Sequence, residues 1–160
     1  MFLVKDCMAR VTVNVKRGTP LKEILKILRR EKCRQLTVVD SDNRITGEIT
    51  LKDILTVFQP HTSEITQLLE TVPFLDTVPE VDIDMDYISS EMAVLIIADD
   101  IMTTRYLKIA PESSVSKAYS MMKVNNRDVL LVADEQNRLL GTIEMFDIIY
   151  KMFKEKGVVD

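Results

Sequence analysis

Two heptapeptides combine hydroxyl and carboxylate side chains at a spacing that could bind a polar ligand. Residues 47–53 read GEITLKD and, 94 positions later, residues 141–147 read GTIEMFD, so that Gly-x-Ile-x-x-x-Asp occurs twice. After Thr50, apolar residues recur at helical spacing, which predicts a helix with one apolar face. Thr50 and Asp53 lie at the first turn of this helix, on its polar side. At that place the free backbone N–H groups and the positive end of a helix favour an anion.

The same residues also match the sequence pattern of a helix cap. In Thr50-x-x-Asp53 the threonine would cap the helix while the aspartate reaches back to the backbone. Gly47 would then be a glycine of a bulge or of close packing. In the second copy Glu144 stands where the first copy has Thr50. The heptapeptides alone leave both alternatives open, the ligand site and the cap.

An internal duplication surrounds both heptapeptides. Residues 6–55 and 100–149 align without gaps, and 11 of 50 positions are identical, where unrelated sequences would share roughly three. Each copy predicts a strand, a helix, two strands joined by a polar turn, and a closing helix. Because a unit of about 50 residues is marginal alone, it has to bury its sheet against its twin.

The boundaries of these elements follow from periodicity and turn residues. In the first copy we expect a strand at 11–15, a helix with Thr19 as its cap and Pro20 as its first residue, strands at 36–39 and 44–49, and a helix from 51 to 58. In the second copy Ser113 or Ser114 caps the first helix, and the hairpin strands are 129–133 and 138–143. The predicted domains are repeat 1 at 1–57, an acidic insert at 58–97 and repeat 2 at 98–160.

The composition excludes several classes of protein. Apolar residues make up 46% and charged residues 29%, which is a globular balance. The longest apolar run, 92–98, is far too short for a membrane helix, and residues 1–6 lack the layout of a signal peptide, so we expect a cytoplasmic protein without a membrane span. Cys7 and Cys33 have neither disulfide-framework nor zinc-site spacing. No catalytic motif is visible, His61 lies in a linker, and there is no basic aromatic patch, so we expect neither an enzyme nor a nucleic-acid-binding protein.

The middle of the chain is strongly acidic. From residue 53 to residue 104 there is no Lys or Arg, and eleven Asp and Glu residues give this stretch a charge of −11. Asp82, Asp84 and Asp86 do not form an EF-hand loop, because Tyr87 and Ala93 stand where that loop needs Gly and Glu. We therefore expect no metal site and interpret residues 81–86 as a solvated edge strand. The alternatives are a magnesium-responsive patch and docking onto the basic flanks.

The duplicated pattern resembles the CBS domain, named after cystathionine β-synthase, and the tandem resembles a CBS pair or Bateman module. The resemblance rests on Asp6-Cys-Met8 and Asp100-Ile-Met102, on LTVVD at 36–40 and LLVAD at 130–134, and on the two heptapeptides. It implies an α+β fold of two pseudo-symmetric strand-helix-hairpin-helix repeats packed sheet to sheet. Thr37 and Leu131 depart from the family, which often has Pro there.

This resemblance also implies a function. CBS pairs bind AMP, ADP, ATP or S-adenosylmethionine as regulatory ligands between the repeats, with or without Mg²⁺ and without a catalytic cofactor. Carried over, Asp53 and Asp147 hold ribose hydroxyls and Thr50 contacts phosphate. The remaining candidates are Val11, Asn14 and Leu36 at the adenine, and Arg10, Arg34 and Lys52 as phosphate partners. For these three basic residues, solvated surface charge is the alternative.

The two clefts differ in charge. Glu144 replaces Thr50, and Asp128 replaces Arg34, so two carboxylates would repel a phosphate chain in the second cleft. We expect the Asp53 cleft to bind a nucleotide, and the Asp147 cleft to be empty, to bind an uncharged adenosine-like group or to need a cation. We thus expect a stand-alone, homodimeric sensor that alters its own conformation or the activity of a partner protein. The alternative is a ligand-free dimerisation or partner-docking module.

Overall fold

The structure, a computed structural model, describes residues 2–10, 12–58 and 88–160. Val11, His61 and the predicted strand at 81–86 lie outside the described residues. The elements of repeat 1 are β1 (Asn14–Lys16), α1 (Leu21–Glu31), β2 (Gln35–Val39), β3 (Ile45–Thr50) and α2 (Leu51–Val57). They are followed by α3 (Met92–Leu95), α4 (Ala98–Ile101), β4 (Lys108–Ile109), α5 (Val115–Asn125), β5 (Val129–Ala133), β6 (Leu139–Glu144) and α6 (Met145–Glu155). The predicted order of strand, helix, hairpin and helix is confirmed in both repeats.

The strands form two sheets of three strands each. In the first sheet β1 is parallel to β2 and β2 is antiparallel to β3, and β4, β5 and β6 repeat this arrangement. Both hairpins have a register shift at the same place, between Val38 and Val39 in repeat 1 and between Val132 and Ala133 in repeat 2. The backbone therefore preserves the duplication down to its irregularities.

The two hairpin turns are joined to each other across the internal symmetry. Asp40 Oδ1 accepts the N–H of Arg44 at 2.8 Å, which closes the first turn. Asn43 adopts a left-handed conformation with φ 62°, which asparagine tolerates better than most residues. Its Nδ2 donates to the carbonyl oxygen of Leu139 at 3.0 Å. Asp134 and Asn137 repeat this geometry, since Asn137 Nδ2 donates to the carbonyl oxygen of Ile45 at 2.9 Å.

An apolar cluster lies between the two hairpins beside these turns. It contains Val39, Ile45, Leu131, Ala133 and Leu139, with Tyr106 packed against it. Two further cores lie within the repeats, one around Leu36, Val38 and Ile49 and the other around Leu130, Val132 and Ile143. The repeats are thus packed sheet to sheet, as a unit of this size requires.

The start of the first helix differs from the prediction. Pro20 occupies the cap position rather than the first helical position, because its ψ of 149° is extended and helical geometry begins at Leu21. Thr19 is not the cap, and its Oγ1 accepts the N–H of Lys16 at 3.1 Å instead. In repeat 2 the cap is Ser114, whose Oγ accepts the N–H of Lys117 at 3.2 Å.

The segment at the start of each repeat is built into the other repeat. Residues 2–9, called leader 1, belong to repeat 1 but pair with repeat 2. Val4 N donates to the carbonyl oxygen of Ser113 at 2.8 Å, and the side chain of Val4 is fully buried in the core of repeat 2. Ala9 and Thr142 exchange two backbone hydrogen bonds of 2.9 and 3.0 Å at the edge of β6.

Residues 96–103, called leader 2, do the reverse. Leu21 N donates to the carbonyl oxygen of Ile96 at 2.8 Å, and the buried Ala98 packs in the core of repeat 1. Thr103 and Glu48 exchange two backbone hydrogen bonds of 2.9 and 3.0 Å at the edge of β3. Each repeat therefore completes its partner, which explains why the duplication begins at the leaders.

The two glycines of the heptapeptides make room for the leaders. A Cβ atom on Gly141 would overlap the backbone carbonyl oxygen of Ala9 in leader 1. A Cβ atom on Gly47 would lie 2.8 Å from both Met102 Sδ and the carbonyl oxygen of Thr103 in leader 2. Gly47 and Gly141 are therefore close-packing glycines, one of the two alternatives left open by the sequence.

We expect the substitution Gly141→Ala to destabilise the fold by about 1–3 kcal/mol, because the added methyl group would push leader 1 off the edge of β6. Gly18→Ala is the matched control, since nothing lies within 4 Å of a Cβ atom placed there. Urea unfolding measures both variants. Equal free energies of unfolding for the two variants would contradict the close approach of leader 1.

Candidate functional site

A cavity of about 510 Å³ lies between the two repeats, beside leader 1. Repeat 1 contributes the end of leader 1, the residues just after it and the loop between α1 and β2. Repeat 2 contributes the start of β5, the end of β6 and the first turn of α6. The lining residues are Ala9, Thr12, Val13, Lys32, Cys33, Arg34, Gln35, Thr37, Asp128, Val129, Thr142, Glu144, Met145 and Phe146.

Local geometry brings the α1–β2 loop to this cavity. Helix α1 ends at Glu31, and the next residue, Lys32, has a left-handed conformation with φ 52° that turns the chain back toward the sheet. Gln35 and Thr37 then face the cavity, whereas Leu36 between them is fully buried in the core of repeat 1. This is the alternation of a β-strand, in which successive side chains point to opposite faces.

The charged side chains of the lining are balanced in number. Lys32 and Arg34 supply two positive charges, and Asp128 and Glu144 supply two negative charges. The sequence predicted the two carboxylates together, and the structure places both in the lining. It also places Arg34 in the same lining, although the sequence assigned Arg34 to the Thr50–Asp53 cleft. The reason is that the loops before β2 and β5 meet between the repeats, so each loop borders more than its own repeat.

Thr50 and Asp53 form the cap that the sequence offered as one alternative. Asp53 Oδ2 accepts the backbone N–H of Thr50 at 2.7 Å and the hydroxyl of Thr50 at 2.6 Å. Thr50 Oγ1 in turn accepts the N–H of Asp53 at 3.3 Å. In repeat 2 Asp147 Oδ2 accepts the N–H of Glu144 at 2.8 Å. In this arrangement both carboxylates hold the first turn of a helix.

The other predicted site residues are scattered. Arg10 is exposed, and Asn14 is an exposed residue of β1. Leu36 does not reach the cavity because it faces the core. Asp147 lines a neighbouring, more open cavity of about 370 Å³, whose other lining residues are Asp6, Cys7, Phe146, Tyr150, Lys151 and Lys154. Phe146 borders both cavities, and neither Thr50 nor Asp53 lines either of them.

A buried ion pair between the repeats was not predicted from the sequence. Glu48 on β3 accepts a hydrogen bond from Arg127 Nη2, which lies in the loop before β5. The side chain of Glu48 is 5% exposed and that of Arg127 is 32% exposed. The signal that could have found Glu48 is the repeat alignment, in which this acidic residue stands opposite Thr142 in a strand that has no other charged residue.

The burial of Glu48 changes its protonation equilibrium. Loss of hydration raises the pKa of the Glu48 carboxyl above its ordinary value of 4.5, Arg127 opposes this effect, and the nearby charge of Asp53 reinforces it. Burial likewise raises the pKa of the Cys33 thiol, which lines the cavity. Cys7 and Cys33 are both free thiols.

Two further features bear on the class of site. Across residues 2–10, 12–58 and 88–160, no three His, Cys, Asp or Glu side chains come together in a way that could hold a metal ion. In the same ranges no helix has both the length and the apolar character needed to cross a membrane.

The cavity is formed from positions at which the two repeats differ. The alignment of residues 6–55 with 100–149 contains eleven identical pairs, and none of the fourteen lining residues belongs to any of them. Ala9 corresponds to Thr103, Cys33 to Arg127, and Thr142 to Glu48. The two clefts related by the internal symmetry therefore share a backbone but not a surface chemistry.

Comparison with known families and relatives agrees with this architecture. The CBS domain family model matches residues 4–60 and 97–154. An uncharacterised protein of Methanocaldococcus jannaschii is 23% identical over 154 residues, covering 93% of this chain and 90% of that protein. A CBS domain-containing protein of Dictyostelium discoideum is 29% identical over 152 residues, covering 95% of this chain and 92% of that protein.

Solved structures share the fold over nearly the whole chain. A CBS domain-containing protein of unknown function from Bacillus anthracis has a TM-score of 0.73 at 17% identity, over 97% of this chain and 95% of that one. CBSX2 in complex with AMP has a TM-score of 0.71 at 18% identity, over 98% and 99%. The CBS domain pair of protein MJ0100, in complex with 5′-methylthioadenosine and S-adenosyl-L-methionine, has a TM-score of 0.62 at 20% identity, over 98% of both chains. The predicted α+β fold of paired repeats is confirmed.

We expect the contribution of Glu48 to stability to depend on pH. Because its pKa is raised in the folded state, the folded protein binds this proton more tightly than the unfolded chain does. This contribution favours folding below the ordinary pKa and is lost as the pH rises through the raised value. The variant Glu48→Gln lacks the titration, so its free energy of unfolding relative to the native protein should improve as the pH rises above the ordinary value of 4.5.

Asp99→Asn is the control of opposite sign. A hydrogen bond from Arg17 lowers the pKa of Asp99, so its contribution is present at neutral pH and is lost as the pH falls. Relative to the native protein, Asp99→Asn should therefore worsen as the pH rises, in a lower window that ends just above the ordinary pKa of 3.8. Urea unfolding at several pH values compares the two variants, and trends of the same sign in both would refute the assignment for Glu48.

Proposed function

Because this chain belongs to the CBS domain family, we propose that it is a regulatory module that binds an adenosine-containing ligand between its two repeats. The observation that carries this proposal is the cavity of about 510 Å³, which is lined by both repeats. Its volume lies within the range of about 300–1,000 Å³ that is usual for small-molecule sites. Its lining combines apolar walls, such as Val13 and Met145, with a few polar groups that could orient a ligand.

The regulatory mechanism is a shift between arrangements of the repeats. A ligand in the cavity would contact leader 1 and the α1–β2 loop on one side and β6 and α6 on the other. It would therefore stabilise whichever arrangement of the repeats best closes these surfaces around it. Only a difference in affinity between two arrangements can shift their populations, so the signal to a partner protein depends on that difference.

The charges of the cavity favour some adenosine compounds over others. Asp128 and Glu144 would repel a triphosphate, while Lys32 and Arg34 would attract it, so the lining gives a polyanion little net attraction. A neutral or zwitterionic compound can use both signs of charge. MJ0100 is bound to compounds of this kind, 5′-methylthioadenosine and S-adenosylmethionine, which makes them reasonable first candidates for this chain. The preferred ligands of this cavity are adenosine, 5′-methylthioadenosine and S-adenosylmethionine rather than ATP.

The aspartates of the heptapeptides keep their proposed role as ribose ligands. Asp147 borders the smaller cavity next to Phe146, so a ribose placed there could accompany an adenine in the larger one. Asp53 and Thr50 would serve the other cleft and bind a nucleotide there, with or without Mg²⁺. For that, Asp53 has to exchange its bonds to Thr50 for bonds to the ribose, at a cost on the order of 1 kcal/mol for the lost cap.

We also propose that a second copy of the chain covers helix α6. Its outer face presents Phe146, Met152 and Phe153, whose exposed fractions are 67%, 55% and 50%. Leu51 and Leu55 of α2 are exposed as well. Large apolar residues that are close together on one surface mark an interface more often than a free surface. The exposed apolar side chains of this face also favour the alternative function, a dimerisation or partner-docking module without a ligand.

We expect calorimetric titration of the native protein to detect binding of at least one compound among adenosine, 5′-methylthioadenosine, S-adenosylmethionine and AMP. The variant Thr12→Trp fills the cavity with an indole and should weaken that binding by about tenfold or more, because a filled site cannot accept a ligand without repacking. Thr56→Trp, on the exposed side of α2, is the control and should bind like the native protein.

Two results would contradict the proposal. Either none of these compounds binds the native protein, or Thr12→Trp and Thr56→Trp bind with the same affinity. In the first case the ligand-free alternative becomes the better account. In the second case binding occurs, but outside the cavity. Thermal unfolding of both variants first establishes that they are folded.

A further inference from the structure

The Glu48–Arg127 ion pair occupies the place in one cleft that the cavity occupies in the other. Ala9, Cys33 and Thr142 all line the cavity. The residues that correspond to them in the alignment are Thr103, Arg127 and Glu48. The backbone pairing is the same in both places, since Ala9 bonds to Thr142 as Thr103 bonds to Glu48. In the Thr50–Asp53 cleft, Arg127 and Glu48 therefore form an ion pair at the positions where the cavity has the thiol of Cys33 and the hydroxyl of Thr142.

The guanidinium of Arg127 is suited to an anionic ligand. A planar guanidinium binds a carboxylate and a phosphate with the same fork of N–H groups. About a third of the Arg127 side chain is exposed, so an incoming group can reach it, whereas the carboxylate of Glu48 is almost fully buried. Lys52, at the start of α2, is exposed near the same end of β3. Arg127 is thus a basic group of this cleft that Glu48 keeps occupied.

The ionised form of Glu48 is disfavoured by its surroundings, which makes Glu48 the partner that is easier to displace from this ion pair. The lost hydration of its carboxylate and the neighbouring charge of Asp53 both disfavour the ionised form. An external phosphate could remain partly hydrated and would bring its own charge to Arg127. The exchange of one anion for another leaves Arg127 paired throughout, which avoids the cost of an unpaired guanidinium.

We propose that Arg127 is the phosphate-binding residue of the Thr50–Asp53 cleft and that Glu48 is its built-in competitor. This inference rests on the proposed function, because it presupposes an adenosine-containing ligand. Glu48 then sets the selectivity of the cleft, since a ligand must carry a phosphate to displace it. It also links the repeats in the ligand-free state, because Glu48 belongs to repeat 1 and Arg127 to repeat 2.

The variant Glu48→Thr tests the inference by copying the residue of the other cleft. It leaves the partly exposed Arg127 free to bind phosphate, and threonine already occupies the equivalent backbone position at Thr142. We expect its affinity for AMP, relative to its affinity for adenosine, to rise by at least about tenfold, the low end of the coupling between close charge pairs. The double variant Glu48→Thr/Arg127→Cys, which copies the other cleft at both positions of the ion pair, should lose this gain.

The outcomes separate the inference from the proposed function. Equal AMP-to-adenosine ratios in the native protein and Glu48→Thr would overturn the inference, while binding of adenosine would still support the proposed function. A gain that persists in the double variant would also overturn it, because the phosphate would then bind elsewhere. If neither compound binds any of the three proteins, both the inference and the proposed function fail. Calorimetric titration with AMP and adenosine, on variants shown to be folded by thermal unfolding, gives all these results.

Discussion

Each leader packs over a glycine of the other repeat, and this exchange holds the two repeats together. Leader 1 pairs with β6 over Gly141, and leader 2 pairs with β3 over Gly47. Through these contacts each repeat receives buried side chains from the leader of the other, Val4 in one core and Ala98 in the other. The repeats cannot separate without opening both cores. The cavity follows from the same arrangement, because it lies where leader 1 joins the edge of the second sheet.

The identities between the two repeats maintain this interlock of the leaders. Asp6 and Asp100 accept the N–H groups of Leu3 and Ile97, which holds the first turn of each leader. Other identical pairs form the cores, the hairpin turns, the close-packing glycines and the caps of the closing helices. The cavity is made entirely from positions where the repeats differ. After duplication, the shared residues thus maintain the fold, and the divergent residues give each cleft its own chemistry.

Local patterns explain how much of this could be predicted from the sequence. The strands and helices were predicted to within about two residues at most boundaries, because periodicity and turn residues are local signals. The cap formed by Thr50 and Asp53 is equally local, and the sequence offered it as an alternative. Thr19 was misjudged because Pro20 is compatible with both the cap and the first helical position. The ion pair of Glu48 and Arg127 could not be predicted, since it joins residues 79 positions apart in different repeats. Arg34 was assigned to the Thr50–Asp53 cleft alone; its carbonyl oxygen does accept the N–H of Leu51 beside Thr50, and the residue also lines the cavity between the repeats.

The proposed function depends on the binding of a ligand in the space between the interlocked repeats. Backbone amide NMR shifts, recorded while adenosine, 5′-methylthioadenosine or S-adenosylmethionine is added, report on both walls of this space. We expect saturable shifts in both repeats at once, at Ala9, Thr12 and Arg34 on one side and at Thr142 and Glu144 on the other. Shifts confined to one repeat, or to the exposed face of α6, would contradict this proposal.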